Sequence, residues 1–230
     1  MSDTFSIQWR AISIEALAIV GSILLAFAID AWWDEQQDRR AESEILGRLH
    51  EEFTLNRAAI GARGTQNKVQ AASVELFRLF DANRERDEPL VVLNSLINDA
   101  MITPTVDPAT PVLDGLILSG RLDLIRDEDV LTAITEWQRL VKNVAESEAN
   151  AGEFARSQML PALTKRGYMG AALRFRREPR DGRTSLIVDD ELVGIVSFRA
   201  ADTDFIIGTL ERMRDSASEL LSAIEHAQTR

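Results

Sequence analysis

The sequence predicts an all-α protein in which an N-terminal transmembrane helix continues into a bundle of long helices. Two observations carry this prediction. An apolar stretch near the start, Ile12 to Trp33, is long enough to cross a bilayer. Beyond it, apolar residues recur at helical spacing along most of the 230-residue chain. Cysteine is absent and aromatic residues make up only 6% of the chain, so we expect an aliphatic core without disulfides.

The apolar stretch has the length and the ends of a membrane anchor. Residues 16–29 contain no charge, and a helix over 12–33 spans about 33 Å, against about 30 Å for a bilayer core. Trp32 and Trp33 then stand where aromatic rings favour the lipid–water boundary, just before a charged run at 34–40. We therefore predict a tail at 1–11, a single transmembrane helix at 12–33 and a helical bundle domain at 34–230.

Two other interpretations of this stretch compete with an uncleaved anchor. Ala26-Phe27-Ala28 resembles a signal-peptidase site, so the segment could be a signal peptide. It could also be the core helix of a soluble protein. The residues before it include only one arginine, Arg10, besides Asp3, and the Trp pair suits an interfacial position. We therefore favour the anchor.

The first half of the bundle domain is predicted to be helical up to a proline-rich loop. Residues 41–63 place one apolar stripe on a helix, and nothing between 33 and 41 breaks the chain, so the anchor should continue into this helix as one rod. Gly61 and Gly64 mark its end. A second helix is predicted over 69–86 and a shorter one from Pro89 to Met101. Three prolines exclude regular helix from 103–111. The stripe of the first helix comprises Ile45, Leu49, Phe53, Asn56 and Ile60.

The second half is predicted to contain two long helices. Gly120 suits a helix C-terminus and Asp127 can cap the next helix, over about 128–159 with Val130, Ile134, Trp137, Val141 and Val144 on one face. Residues 167–188 form the least regular region. The last helix, about 190–228, carries an apolar seam that needs partner helices, as in a bundle. Its members are Ile206, Leu210, Met213, Ala217, Leu220 and Ile224.

Two stretches carry a resemblance to a known family. EALAIVGSILLAFAIDAWWDEQ and LILSGRLDLIRDEDVLTAITEW resemble a broad family of bacterial single-pass membrane proteins that is known only as a domain of unknown function. The likeness lies in an anchor ending Ile/Leu-Asn/Asp-x-Trp and in the turn from Ser119 to Asp127. Asp30 stands where the family more often has Asn. The resemblance implies a helical, membrane-anchored, non-enzymatic protein and transfers no catalytic residue.

The remaining residues give little support for an enzyme, and we predict no cofactor and no metal. A net charge of −11 argues against nucleic-acid binding, because phosphates need a basic face. His50 and His226 lie far apart without further ligands at metal-binding spacing. No nucleophile-elbow, zinc-protease or phosphate-loop motif occurs. Acidic clusters at 127–129 and 189–191 precede helical runs, where capping explains them.

One face of the anchor is a candidate for packing against another membrane helix. Ala18, Ser22 and Ala26 recur every four residues, and Glu15 and Asp30 lie near the two ends of the same face. Small residues at this spacing let transmembrane backbones approach closely, and carboxylates near lipid usually face protein, water or a basic partner. The alternative is chance alanine with carboxylates that simply reach the interface.

A second candidate is a basic stretch within an irregular segment at 165–188. The stretch contains seven cationic side chains and two carboxylates, a local charge of +5 in a chain whose net charge is −11. The stretch could bind anionic lipid headgroups or an acidic partner, or it could pair with the chain's own acidic helices. Its cations are Lys165, Arg166, Arg174, Arg176, Arg177, Arg180 and Arg183.

Taken together, these features predict a membrane-anchored interaction or scaffold protein. Its expected partners are membrane lipids and other membrane protein helices, in a larger assembly or a homo-oligomer. The alternative is a ligand-sensing helical domain, but a lone sensor needs an effector domain or a second pass, and neither occurs in this sequence. We place the anchor in the bacterial inner membrane and the bundle on the periplasmic side, although Arg39, Arg40 and Arg48 after the anchor favour the opposite topology.

Overall fold

The computed structural model describes the backbone of residues 3–82, 87–168, 183–185 and 188–229, and the side chains of 13–82, 92–168 and 188–229. The described chain is built of helices, which confirms the predicted all-α class. A 3-10 turn over Arg121–Leu124 precedes α5, and a π-helical turn over Ala155–Met159 joins α5 to α6. The helices are α1 (Asp3–Gly61), α2 (Gly64–Ala82), α3 (Leu90–Ala100), α4 (Pro111–Leu118), α5 (Glu128–Phe154), α6 (Leu160–Lys165) and α7 (Asp190–Gln228).

The boundaries differ from the prediction around Pro89. The second helix begins at Gly64 and ends at Ala82, and a short strand β1 (Asp87–Pro89) pairs antiparallel with β2 (Arg183–Ser185). Proline disfavours helical backbone in the residue before it, here Glu88, which explains why α2 does not extend into this strand. The helix expected from Pro89 begins one residue later, and β2 falls within the segment predicted to be irregular.

Helix α1 is a single rod of 59 residues, about 88 Å long, without a break after the anchor. Helix α7, with 39 residues, runs antiparallel to α1 and α2 and spans their junction. Side-chain contacts fix this register, since Arg63 Nη1 donates to Glu211 Oε1 at 2.9 Å and Gln70 Nε2 donates to Asp204 Oδ1 at 3.2 Å. The two long helices therefore form the axis of the bundle.

Two apolar clusters follow one another along α7. The first joins α1, α4, α5 and the C-terminal part of α7, with the Phe53 and Trp137 rings in edge contact at 4.8 Å. The second joins α2, α3, the π-turn, α6 and the N-terminal part of α7. The predicted stripe of α1 and the predicted seam of α7 are buried throughout. On α5 the prediction holds except at Val141, which is half-buried while its neighbour Leu140 is buried.

The helix ends obey the predicted local chemistry. Gly120 has a φ of 67°, the left-handed conformation that favours glycine after a helix C-terminus. Asp127 caps α5 by accepting from the N–H groups of Asp129 and Val130 at 3.0 and 3.2 Å. Asp189 caps α7 by accepting from the Leu192 N–H at 3.0 Å. Both acidic clusters therefore begin helices.

Buried polar side chains fasten the proline-rich loop at 103–111 to the bundle. Asn56 donates to the Ala109 carbonyl, and Glu148 accepts from the Val106 N–H. Where the loop ends, Glu52 accepts from the N–H groups of Val112 and Leu113. Arg199, at 1% exposure, donates to the carbonyls of Ala100 and Ile102 just before the loop. Asn56 and Glu148 thereby satisfy backbone groups of the loop, and Glu52 satisfies two N–H groups that the first turn of α4 leaves without a helical partner.

Candidate membrane anchor and partner-binding face

The apolar part of α1 projects away from the bundle. Every side chain from Ser13 to Asp34 is exposed, and packing against the other helices begins at Glu35. Among the described residues, one helix is long and apolar enough to cross a membrane, and its apolar window has a mean hydropathy of 2.1 with none of it buried. The segment is therefore no part of the bundle core, which contradicts the core-helix alternative.

The structure places the predicted contact residues on one continuous helix face. Glu15, Ala18, Ser22, Ala26 and Asp30 all lie in α1 and are exposed. The Ser22 hydroxyl donates to the Ile19 carbonyl at 2.8 Å. Because its proton is used within the helix, Ser22 acts on this face mainly as a small side chain.

The bundle covers the opposite side of α1. At about 100° per residue, the buried residues Leu49, Phe53 and Ile60 point about 160–200° away from Glu15. By the same geometry Glu51 and Leu55 point within about 40° of Glu15, and both are exposed. The small-residue face is thus continuous with a strip of α1 that no other described helix covers.

A salt-bridged joint fixes the bundle directly beyond the anchor. Arg126, in the loop before α5, donates from Nη1 and Nη2 to the two carboxylate oxygens of Glu35 at 2.6 and 3.0 Å. Arg39 donates to the same carboxylate at 2.8 Å, and the Arg126 N–H donates to Glu42 at 2.7 Å. Hydrogen bonds from Arg126 and then Arg39 lower the pKa of Glu35 to about 2. The first bundle contact therefore lies two residues after Trp33.

The two tryptophans have the surroundings of interfacial residues. Trp32 and Trp33 are 58% and 59% exposed, with ring centroids 6.4 Å apart. Together with Gln36, Gln37 and Arg40 they line an open groove of about 370 Å³. Apolar rings thus adjoin amide and guanidinium groups, as at the boundary between hydrocarbon and headgroups.

Only part of the predicted basic stretch falls in the described residues, and that part pairs within the chain. Arg166 is buried, donates to the carboxylates of Asp189 and Glu191, and also donates to the Ala162 carbonyl at 2.9 Å. Lys165 lies 3.9 Å from the Glu191 carboxylate. For these two cations, pairing with the chain's own acidic residues is the arrangement observed. Arg174, Arg176, Arg177 and Arg180, and the side chain of Arg183, lie outside the described residues.

The described part of the bundle has an open groove beside the proline-rich loop. The end of α1, the start of α2 and the proline-rich loop enclose an open groove of about 380 Å³ lined in part by Asn56, Arg63 and Gln66. Across the described side chains, no group of three or more His, Asp or Glu residues could hold a metal ion. The Glu35–Arg126 joint and the polar contacts of Glu148 and Arg199 were not predicted, because each pairs residues that are distant in sequence.

No known protein family, curated protein or solved structure matches this chain. The resemblance to bacterial single-pass membrane proteins therefore rests on the sequence motifs alone and stays a prediction.

Proposed function

We propose that this protein is a single-pass interaction protein of the bacterial inner membrane, an accessory subunit of a membrane protein assembly or a homo-oligomer, with its bundle in the periplasm. The observation that carries the proposal is the uncovered anchor. Its face of small residues points away from the bundle, where another membrane helix has free access.

The exposed apolar surface supports a membrane location. Nine large apolar side chains between Ile14 and Ile29 are each at least half exposed. Burying one such side chain stabilises by about 1.5–3 kcal/mol, so leaving all nine in water is strongly unfavourable. A bilayer supplies the missing apolar surroundings, and the tryptophans and the Glu35–Arg126 joint begin where that surface ends.

The rigid connection of anchor and bundle supports a role in assembly. Because α1 continues unbroken from the apolar segment into the first core, a helix bound beside Ser22 is held at a fixed orientation to the bundle. Close contact between small residues is a common mode of transmembrane helix association. The protein can thereby position a membrane partner and a folded domain relative to each other.

Deleting residues 1–33 should release a soluble and mainly helical fragment. The deletion removes the exposed apolar surface but keeps Glu35 and the core residues of α1. A carbonate wash of membranes followed by far-ultraviolet circular dichroism of the supernatant protein tests this. A fragment that stays in the membrane pellet, or that loses its helical signal, would contradict the single-anchor proposal.

Replacing Ser22 and Ala26 together with leucine should abolish association while the protein still inserts in the membrane. The larger side chains fill the groove between the two helix backbones, whereas leucine keeps insertion favourable. Cross-linking reports on self-association and co-purification in mild detergent reports on other partners.

The matched control changes the opposite side of the anchor. Val20 and Leu24 lie about 140° and 180° from Glu15 around the helix axis. The substitutions Val20→Ala and Leu24→Met should therefore leave association largely intact. If the Ser22/Ala26 variant still assembles like the unmodified chain, the partner does not bind through this face.

A further inference from the structure

We infer that the anchor face binds a transmembrane helix of a different protein, which carries a lysine or arginine near each of its two ends. This inference rests on the proposed function and deepens it by naming the chemistry of the partner. It derives from the depth and the pairing of Glu15 and Asp30.

The two carboxylates are too close together to reach both surfaces of a bilayer. Fifteen residues separate Glu15 from Asp30, about 22 Å along the helix axis, against a hydrocarbon thickness of about 30 Å. Helical side chains lean toward the N-terminus, so the Asp30 carboxylate leans back toward Ala26 rather than out toward Trp33. Tilting the helix shortens the span further. At least one carboxylate therefore lies within the hydrocarbon.

No cation among the described side chains pairs with either carboxylate; the side chain of Arg10, five residues before Glu15, lies outside the described residues. Neither carboxylate has an ion pair or hydrogen bond within the described residues 13–82, 92–168 and 188–229. The neighbours of Asp30 one helical turn away are Ala26, Phe27, Trp33 and Asp34. The next cation, Arg39, lies about 13 Å further along the helix and pairs with Glu35.

A second copy of the chain would make the problem worse. Two copies insert in the same direction, so a face-to-face pair sets Glu15 against Glu15 and Asp30 against Asp30. Two carboxylates at close range in a medium of low dielectric repel strongly unless they share a proton, whereas pairing with a cation requires no proton. A partner with basic residues at the same two depths instead neutralises both carboxylates. The small side chains of Ala18, Ser22 and Ala26 allow the close approach that such pairs require.

The test uses the full-length chain and designed probe helices in a two-hybrid assay for membrane helices. Each probe is a leucine-based span with small residues on one face and two test positions fifteen residues apart, occupied by lysine, glutamine or glutamate. We expect the lysine probe to associate about tenfold more strongly than the glutamine probe, and the glutamate probe to be weakest. The double variant Glu15→Gln/Asp30→Asn should remove the preference for lysine, and Glu15→Lys/Asp30→Lys should transfer it to the glutamate probe.

Self-association provides a second measurement. The unmodified chain should self-associate less than the Glu15→Gln/Asp30→Asn variant, since amides remove the repulsion. Equal binding of the lysine and glutamine probes, or self-association undiminished by the carboxylates, would overturn the inference. The Ser22→Leu/Ala26→Leu variant separates the two proposals. If this variant binds no probe but the unmodified chain binds the lysine and glutamine probes equally, the face is right and the inferred partner chemistry is wrong. If the variant binds the probes as the unmodified chain does, the proposed face itself is wrong.

Discussion

Replacing Leu49 with alanine should lower the free energy of unfolding by about 3 kcal/mol. Leu49 is fully buried in α1 and belongs to the first apolar cluster, with α5 and α7. The substitution removes buried methyl groups and leaves a cavity that the surrounding helices fill only in part. Thermal unfolding of the chain in a non-ionic detergent, followed by circular dichroism, measures the effect.

The same substitution at Leu55 is the matched control. Leu55 lies on the same helix but is 72% exposed, so Leu55→Ala should change the stability by no more than about 0.5 kcal/mol. Similar losses at both positions would show that α1 is rotated relative to the bundle. Such a rotation would bring the strip of α1 that continues the anchor face against the bundle, because α1 is continuous.

Replacing Glu148 with glutamine should stabilise the protein by about 3 kcal/mol at pH 8.5 and by little below pH 4.5. Glu148 is 8% exposed, and burial raises its pKa from 4.5 to about 7 although the Val106 N–H donates to it at 2.9 Å. It shares a small cavity with Arg199. Between pH 4.5 and pH 7 the Glu148 carboxyl holds a proton in the folded chain that it has released in the unfolded chain. The stability of the folded chain is therefore highest below pH 4.5 and falls as the pH rises through 7.

Glutamine removes this loss because it is neutral at every pH and its carbonyl oxygen can still accept from Val106. The test compares thermal unfolding of the two proteins from pH 4.5 to 8.5. Burial also raises the pKa values of Glu52 and Asp202, so a weaker slope of the same sign should remain in the variant. Glu146→Gln, an exposed position on the same helix, should leave the profile unchanged. An unchanged profile in the Glu148 variant would show that the Glu148 carboxyl is hydrated in the folded chain.

Local sequence patterns predicted much of the secondary structure. The stripe from Ile45 to Ile60 and the seam from Ile206 to Ile224 are both buried. Apolar residues that recur with a period near 3.6 lie on one face of a helix, and that face packs into the core. Gly120 and Asp127 were predicted in their roles because left-handed backbone and helix capping depend on few neighbouring atoms. The end of α2 was predicted less well, since β1 depends on pairing with a strand nearly a hundred residues away.

The sequence likewise predicted one part of the candidate site and not the other. The sequence placed Glu15, Ser22 and Asp30 on one face of the anchor helix, because helix geometry alone relates them. It could not show that the bundle covers the other side of α1. That depends on how α5 and α7 pack around Phe53, and hence on the sum of many contacts between distant residues.

The sequence by itself determined the helical class, the length of the apolar segment and the caps, because periodicity, length and backbone chemistry are local properties. Only the tertiary structure decided which carboxylates are buried. Glu148 and Glu146 are two residues apart on α5, yet one is buried beneath the proline-rich loop and the other is exposed. Likewise, Arg126 meets Glu35 only because the loop before α5 folds back on α1. Such pairs join residues that helix packing brings together from far apart in the chain, and no local pattern encodes them.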